Sequence, residues 1–317
     1  MSILTLTLNP AIDQTVTLEQ LVRGAVHRAS AVRFNAGGKG VNVASCLADW
    51  GADVIATGLL GADNAASFEA LMAAKGIGDT FVRVTGASRT NIKLVDAQET
   101  TDINLPGFDA DAGAIATVAR TLKQHATPGS LMVLAGSLPG GIDPDCYAAL
   151  LADLVPMGAK VLLDASGPAL RAALDGPALP WAIKPNVAEL AELVGHPLEC
   201  ITDVVAAASD LHQRGIDLVA VSMGAEGALF LNAQGAVRAS LPPVTRGSTV
   251  GAGDAMVAGI AAALSEGGDL ERIARLASAF AVGKLGLAGP NLPPREEIER
   301  LAAQTSVEAM SMAGETL

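Results

Sequence analysis

The sequence predicts an α/β fold: a mostly parallel central sheet with helices on both faces, three layers in all. Three observations predict it. Short apolar runs of strand length alternate with segments of helical period, the pattern of successive β-α-β crossovers. Half of the 317 residues are apolar yet only 3% are aromatic, so the core must come from Ala, Val, Leu and Ile, which suit close packing of helices on a sheet. Glycine follows one helical segment after another, as at Gly51, Gly76 and Gly215, where a left-handed residue ends a helix without steric cost. Length alone permits one large domain or two smaller ones. No repeat, low-complexity tract or linker divides the chain, so a single domain over residues 1–317 is expected.

Residues 3–8 alternate apolar side chains with Thr and read as the first strand. They have no positively charged region before them and do not read as a signal peptide. Further strands are expected at 54–58, 131–134, 161–163, 182–183 and 218–221. Helices are expected at 41–50, 67–75, 143–155, 188–194, 203–214 and 252–265. Three segments break the rhythm: 15–17, 31–34, and 91–96 with 101–105. They read as strands, but no crossover helix separates the first two. They are expected to form a small sheet, a discontinuous lid from about 12–36 and 89–106 over the mouth of the main one.

Charge and cysteines exclude several functions. The formal net charge of −12 opposes generic binding to nucleic acid or an anionic membrane. No apolar run reaches the roughly 18 residues a spanning helix needs. Cys46, Cys146 and Cys200 lie far apart, which supports neither a disulfide framework nor a zinc site and fits a reducing, cytoplasmic setting. The four histidines are scattered, and Ser-His-Asp chemistry has no support. Residues 1–40 reverse the overall charge, with Arg23, Arg28, Arg33 and Lys39 against Asp13 and Glu19. This is either scatter on a solvated face or a local site for a small anion.

The strongest motif is Ser248-Thr249-Val250-Gly251-Ala252-Gly253-Asp254, directly before an apolar helical run. Glycines at a helix start let backbone N–H groups converge on an anion, and the helix dipole adds to the attraction. An acid at the end of the turn stands ready to take a proton, so the pair suits phosphoryl transfer. The alternative is a glycine turn that Asp254 caps. The pattern is neither a Walker A loop nor a dinucleotide fingerprint: Gly38-Lys39 is followed by Gly40, Gly283-Lys284 by Leu285, and Met256 stands where a third glycine belongs.

A second cluster, Gly37-Gly38-Lys39-Gly40-Val41-Asn42, also opens a helix, and is either a ligand-approaching turn or a merely flexible one. In Lys184-Pro185-Asn186-Val187-Ala188-Glu189, Asn186 and Glu189 are either a capping box or the holders of a hydrated magnesium. Ser222-Met223-Gly224-Ala225-Glu226-Gly227 reads as a loop at a strand end, where α/β sheets bind nucleotides. Arg89 suits bidentate phosphate binding, or is a surface charge.

In this order, from Asn9-Pro10-Ala11-Ile12-Asp13 to Asp254, the motifs resemble the ribokinase-like sugar kinases, and among them the phosphofructokinase B branch. Residues 89–94, 101–107, Gly136-Ser137-Leu138-Pro139 and 224–228 bring the members that act on fructose 1-phosphate nearest. The resemblance implies transfer from ATP, with Mg2+, to the 6-hydroxyl of fructose 1-phosphate. A 6-phosphate ketose kinase (for fructose 6-phosphate or tagatose 6-phosphate) and a non-catalytic sugar-phosphate sensor are the alternatives. Asp254 is then the general base, and Gly251, Ala252 and Gly253 form the anion hole. Asp13, Gly37, Gly38, Asn42 and Ser137 belong to the sugar site, with Arg28, Lys39 and Arg89 for the substrate's own phosphate. Lys184, Asn186, Ser222, Gly224, Gly227, Thr249 and Gly253 belong to the ATP side, and Glu189 reaches the metal through water. Residues 279–283 would line the adenine. The lid would close over substrate and pair two subunits. Ribokinase-type members carry Asp at position 248, near a monovalent-cation site; Ser248 leaves K+ dependence open.

Overall fold

The computed structural model describes residues 2–96, 99–242 and 250–311. Its main sheet has eleven strands. They are β1 (Ile3–Thr7), β4 (Val54–Gly61), β5 (Gly78–Asp79), β6 (Val82–Val84), β9 (Leu131–Ala135), β10 (Lys160–Asp164), β11 (Ala182–Ile183), β12 (Leu218–Ser222), β13 (Ala228–Asn232), β14 (Gly235–Ser240) and β15 (Ser306–Met310). The order is β15-β14-β13-β12-β11-β10-β9-β1-β4-β5, with β6 also on β4. From β12 to β5 all pairs are parallel; β12 to β15 are antiparallel.

The alternation of each strand builds two cores, one per face. Ile3, Leu131, Val133 and Leu162 join the helices Lys39–Trp50, Ala66–Lys75, Ala252–Ser265, Leu270–Lys284 and Arg295–Gln304. Leu4, Leu6, Met132, Leu134, Val161 and Leu163 join the helices Ala112–His125, Cys146–Leu154, Gly167–Asp175, Val187–Val194 and Ile201–Gln213 on the other. Period-two side chains under period-3.6 stripes give the three layers. The helix Lys39–Trp50 lies flush on β1 because Gly40 has no side chain: a Cβ there would sit 2.3 Å from the Leu6 carbonyl oxygen.

The expected strands and helices occur, several a residue or two longer than the sequence suggested, while the first strand ends at Thr7 and the helix expected at 143–155 spans only Cys146–Leu154. Four further helices (Ala112–His125, Gly167–Asp175, Leu270–Lys284, Arg295–Gln304) and the antiparallel extension β13–β15 were not expected.

The second sheet has four strands in the order β3 (Ala31–Gly37), β2 (Ala11–Thr17), β7 (Arg89–Val95) and β8 (Thr100–Asn104). β2 and β7 are parallel; the outer pairs are antiparallel. Registration fixes its two faces. Asn35, Asp13, Asn91 and Asn104 form one row across it, and Arg33, Thr15, Lys93 and Asp102 the next; both belong to the polar face. Phe34, Gln14, Ile92 and Ile103 form a row on the opposite face, followed by Val32, Val16, Leu94 and Thr101.

Candidate active site

β1 lies between β4 and β9, so the chain leaves it to one side first and returns on the other. Such a reversal opens a crevice at the carboxyl ends of the strands. Asn9 follows β1 there and Ser137 follows β9; Asn9 Nδ2 donates to Ser137 Oγ at 3.1 Å and to the Leu138 carbonyl at 3.2 Å.

The Gly251 turn opens onto this crevice. Gly251 is the helix N-cap with φ 80°, a left-handed conformation that a side chain would strain. The first bond of the helix runs from Ala255 N to Gly251 O at 2.9 Å. The N–H groups of Ala252, Gly253 and Asp254 therefore have no acceptor within the helix. Asp254 does not cap the turn, since no side chain does. Its Oδ2 instead accepts a 2.7 Å hydrogen bond from Asn42 Nδ2, 212 residues away. The two glycine motifs meet at that bond. Asp254 is 9% exposed. Burial first, then the charge of Asp164, pushes its carboxyl up from 3.8 to about 6; the Asn42 bond, Lys39 and Lys184 pull the other way.

Asp13 approaches from the lid. A Cβ on Gly37 would lie 3.2 Å from Asp13 Oδ2 and 3.3 Å from Asn42 Oδ1, so these polar groups share one small space with the Gly37-Gly38 backbone. Lys93 pairs with Asp13 at 2.9 Å, and Asn91 donates to it at 3.2 Å. Arg89, at the start of β7, is half-buried, and its Nε has no hydrogen-bond partner. Burial lowers its pKa and Asp13 partly offsets that. The Asn9 Oδ1, also buried, is likewise unpartnered, and both residues border Gly107. Arg89, Asn9 and Ser137 thus form the end of the crevice away from Asp254. Arg28 is not brought there. It is exposed in the 18–30 connection, beyond Thr17 and Ala31, at the opposite end of the lid from Asp13.

Lys39 and Lys184 converge on Asp164 at the end of β10, at 3.3 and 3.4 Å. Asp164 is 1% and Lys184 5% exposed. Neither approach has hydrogen-bond alignment, so both Asp164 oxygens lack an aligned donor. Burial lowers the Lys39 pKa, but Asp164, Asp254 and Glu189 outweigh it and leave it raised. A Cβ on Gly253 would be 3.8 Å from Lys184 Nζ, which puts that ammonium beside the anion-binding turn. Lys39 therefore faces the Gly253 side of the crevice with Lys184, whereas the resemblance assigned it to the substrate's own phosphate with Arg89.

Asn186 and Glu189 form a capping box: Asn186 Oδ1 accepts from Glu189 N, and Glu189 Oε2 from Asn186 N, both at 2.9 Å. Ser222 is bridged to Asn186 through a 3.0 Å bond from its N–H to Pro185 O, so the loop carrying Gly224 and Gly227 lies against the Lys184–Asn186 strand end. Of residues 279–283, Ala279 and Phe280 are buried in the core, while Ala281, Val282 and Gly283 are partly buried and Gly283 packs on Ile298. Ser248 and Thr249 lie outside the described residues.

Residues 6–296 match the pfkB family of carbohydrate kinases. The chain belongs to that family. A 1-phosphofructokinase of Xanthomonas campestris pv. campestris is 53% identical, over 89% of this chain and 90% of the relative. A 1-phosphofructokinase of Rhodobacter capsulatus is 49% identical, over 97% and 98%. Among solved structures, the phosphofructokinase-2 of Escherichia coli in complex with potassium superposes with a TM-score of 0.89 at 29% identity, over 95% of this chain and 98% of that one.

The structure adds residues to this pfkB-family site that the sequence reading did not single out: Asn9, Lys93, Asp164 and Lys284. Lys93 had a legible signal, since 89, 91 and 93 alternate onto one strand face. Asp164 had a weaker one, an acid at the end of an apolar run. Cys46 also borders the cavity, but burial, with Asp254 and Asp49 nearby, pushes its thiol up to about 12, so it is an inert thiol.

Proposed function

We propose that this chain transfers the γ-phosphoryl group of ATP to the 6-hydroxyl of fructose 1-phosphate. The observation that carries the reading is the Asn42–Asp254 hydrogen bond, because it brings a raised carboxylate to the point where both glycine motifs converge. The sugar lies between Asp13 and Asn42. Its own phosphate goes to Arg89 and Ser137, where the unpartnered Arg89 Nε–H is a donor to offer. The 6-hydroxyl then meets Asp254, which takes its proton as the oxygen attacks. The N–H groups of the Gly251–Gly253 turn receive the charge of the transferred group, with Lys39 and Lys184 beside it.

Magnesium fits this arrangement as an ion bound mainly by phosphates and water. Glu189 Oε2 belongs to the capping box, and Oε1 does not. Among the described residues no group of three or more His, Cys, Asp or Glu could cage a metal. A hydrated ion held by one carboxylate and nucleotide phosphates suits that chemistry, and when bound it neutralises phosphate charge. Ser222, Gly224 and Gly227 line the nucleotide side.

The four-stranded sheet acts as a lid that excludes water. Its outer face exposes Val32, Phe34 and Ile103, with Phe34 at 63%. An apolar sheet face of this kind suits pairing with a second copy of the chain. No helix among the described residues is long and apolar enough to cross a membrane. The three cysteines are unpaired, as a reducing cytoplasm keeps them.

The reading is tested by coupled ADP release with fructose 1-phosphate, fructose 6-phosphate and tagatose 6-phosphate. The expected result is a kcat/KM preference for fructose 1-phosphate. A preference for a 6-phosphate would overturn the substrate and keep the kinase; no turnover with any would favour a sensor.

A further inference from the structure

Arg33 belongs to the basic stretch of residues 1–40, and the proposed reaction does not use it. It is exposed, and among the described residues it has no ion pair. Registration puts it on the polar face of the lid, in one row with Thr15 and Lys93. All three border a cavity of about 340 Å3, which Gly251 of the anion-binding turn and Lys284 also border. The charged residues around that cavity are Arg33, Lys93, Lys284 and Asp13. Lys93 pairs with Asp13 at 2.9 Å, so no acid of the cavity wall is left to answer Arg33 and Lys284.

A positive surplus in one cavity of a chain with net charge −12 calls for an anion. Burial lowers the Lys284 pKa; Cys46 and Asp254 oppose that, and the charge of Lys93 adds to it, so the two ammonium groups act on each other. The lid thus carries cations at both ends of its polar face. Arg89, Asn91 and Lys93 alternate along β7, with the Asp13 row between the two basic residues. Four residues of strand separate Arg89 from Lys93, roughly 13 Å. Lys93 leans back to Asp13, which shortens that span towards the length of a sugar with an anion at each end. Arg89 takes the phosphate that the substrate brings. The Lys93 end shares its cavity with Gly251, where the 6-hydroxyl acquires a second one.

We propose that Lys93 and Arg33 form a second phosphate contact, which grips the newly made 6-phosphate of fructose 1,6-bisphosphate from the lid while the Gly251 turn holds it from the main sheet. The inference rests on the kinase reading above. In the empty site Asp13 keeps the Lys93 ammonium in place. A phosphate dianion offers that ammonium, and the fork of Arg33, charge-assisted hydrogen bonds. The lid is therefore held shut more firmly by the bisphosphate than by the monophosphate.

The test is calorimetry without nucleotide, with fructose 1-phosphate and fructose 1,6-bisphosphate, on the wild type, Arg33→Met, Lys93→Met and Lys93→Arg. The wild type should bind the bisphosphate about 10-fold more tightly or better, the scale of one charged hydrogen bond. Arg33→Met breaks no ion pair, and should weaken the bisphosphate about two- to fivefold, as for an exposed charge, and the monophosphate less. Lys93→Met should weaken the bisphosphate by about 10- to 100-fold. It also unpairs Asp13, so the monophosphate serves as its control, and Lys93→Arg should recover most of the difference between the two sugars. Equal wild-type affinity for both sugars, or variants that weaken both alike, would overturn the proposal. So would variants that weaken a non-hydrolysable ATP analogue and spare the bisphosphate, since the cations would then serve the nucleotide. Binding of neither sugar phosphate would sink the kinase reading, and this proposal with it.

Discussion

The lid sheet and the strand ends of the main sheet both hold charged side chains, but they hold them differently. Below, Asp254, Asp164 and Lys184 sit at the ends of elements packed into the two cores and are nearly sealed from water. Burial first, and then the charge of Asp164, lift Asp254 to about 6, with Lys184 pulling the other way. Above, Asp13 and Lys93 are held on a four-stranded sheet whose other face exposes Val32, Phe34 and Ile103, and β8 is exposed along its length. The pair is fixed by registration across strands. On the proposed reading, the buried wall tunes a proton and the exposed wall closes on the ligand. Substitutions in the two walls should therefore fail in different ways.

The largest effect belongs to Asp254. Asp254→Asn keeps the shape and removes the base, so kcat should fall by about 10²–10⁴-fold, with nucleotide affinity, read by calorimetry, nearly unchanged. Stability should move in the opposite direction. The folded pKa, about 6, lies above the ordinary 3.8. Stability from this group is therefore full below pH 3.8 and lost as pH rises towards 6. At pH 7 the wild type carries that loss, at most about 3 kcal/mol by linkage, and the Asn variant should melt higher. The wild-type kcat/KM should also fall about tenfold per pH unit below pH 6, as the free base becomes protonated. A variant with near-normal turnover, or a profile flat to pH 5, would remove Asp254 from its role.

The next effect belongs to the lid. Arg89→Ala should raise KM for the sugar phosphate by about 10- to 100-fold, the scale of a lost charged hydrogen bond at ~1.5–3 kcal/mol, and should change kcat less. Its thermal stability should hardly change, because the guanidinium has an unpartnered Nε to give up. An unchanged KM would mean that the phosphate binds elsewhere.

The same contrast explains what the sequence made legible. The buried wall announces itself: apolar runs of period two, glycine-marked helix ends, and the Gly251–Asp254 turn are local patterns with local causes. The helix expected at 252–265 has those limits. Where the local signal conflicts, the sequence misleads. The helix Gly167–Asp175, which was not expected, opens on Gly167-Pro168, and proline is welcome in a first turn. The edge strand β15 is mostly exposed and so lacks an apolar signature. Pairings across the chain are the harder loss. Nothing in residues 28, 39 and 89 alone says that Arg28 lies at the far end of the lid, or that Lys39 turns to Asp164 and away from Arg89.

The smallest effect on chemistry, and the sharpest on assembly, is expected at Phe34. The side chain is 63% exposed on the outer lid face, in a row with Ile92 and Ile103, on the face opposite Asp13 and Lys93. Phe34→Asp places a charge in that row without altering the polar row of Asn35 and Asp13 on the other face. If the outer face is where two copies pair, burying that charge is prohibitive and the dimer should fall apart. Light scattering should then give half the wild-type mass. The kcat at saturating substrate should stay within a few-fold, because the Asn42–Asp254 junction is rooted in the main sheet. KM should rise as the lid loses its support. A variant that keeps the wild-type mass and KM would move the subunit contact away from the lid, and leave that wall answering to the ligand alone.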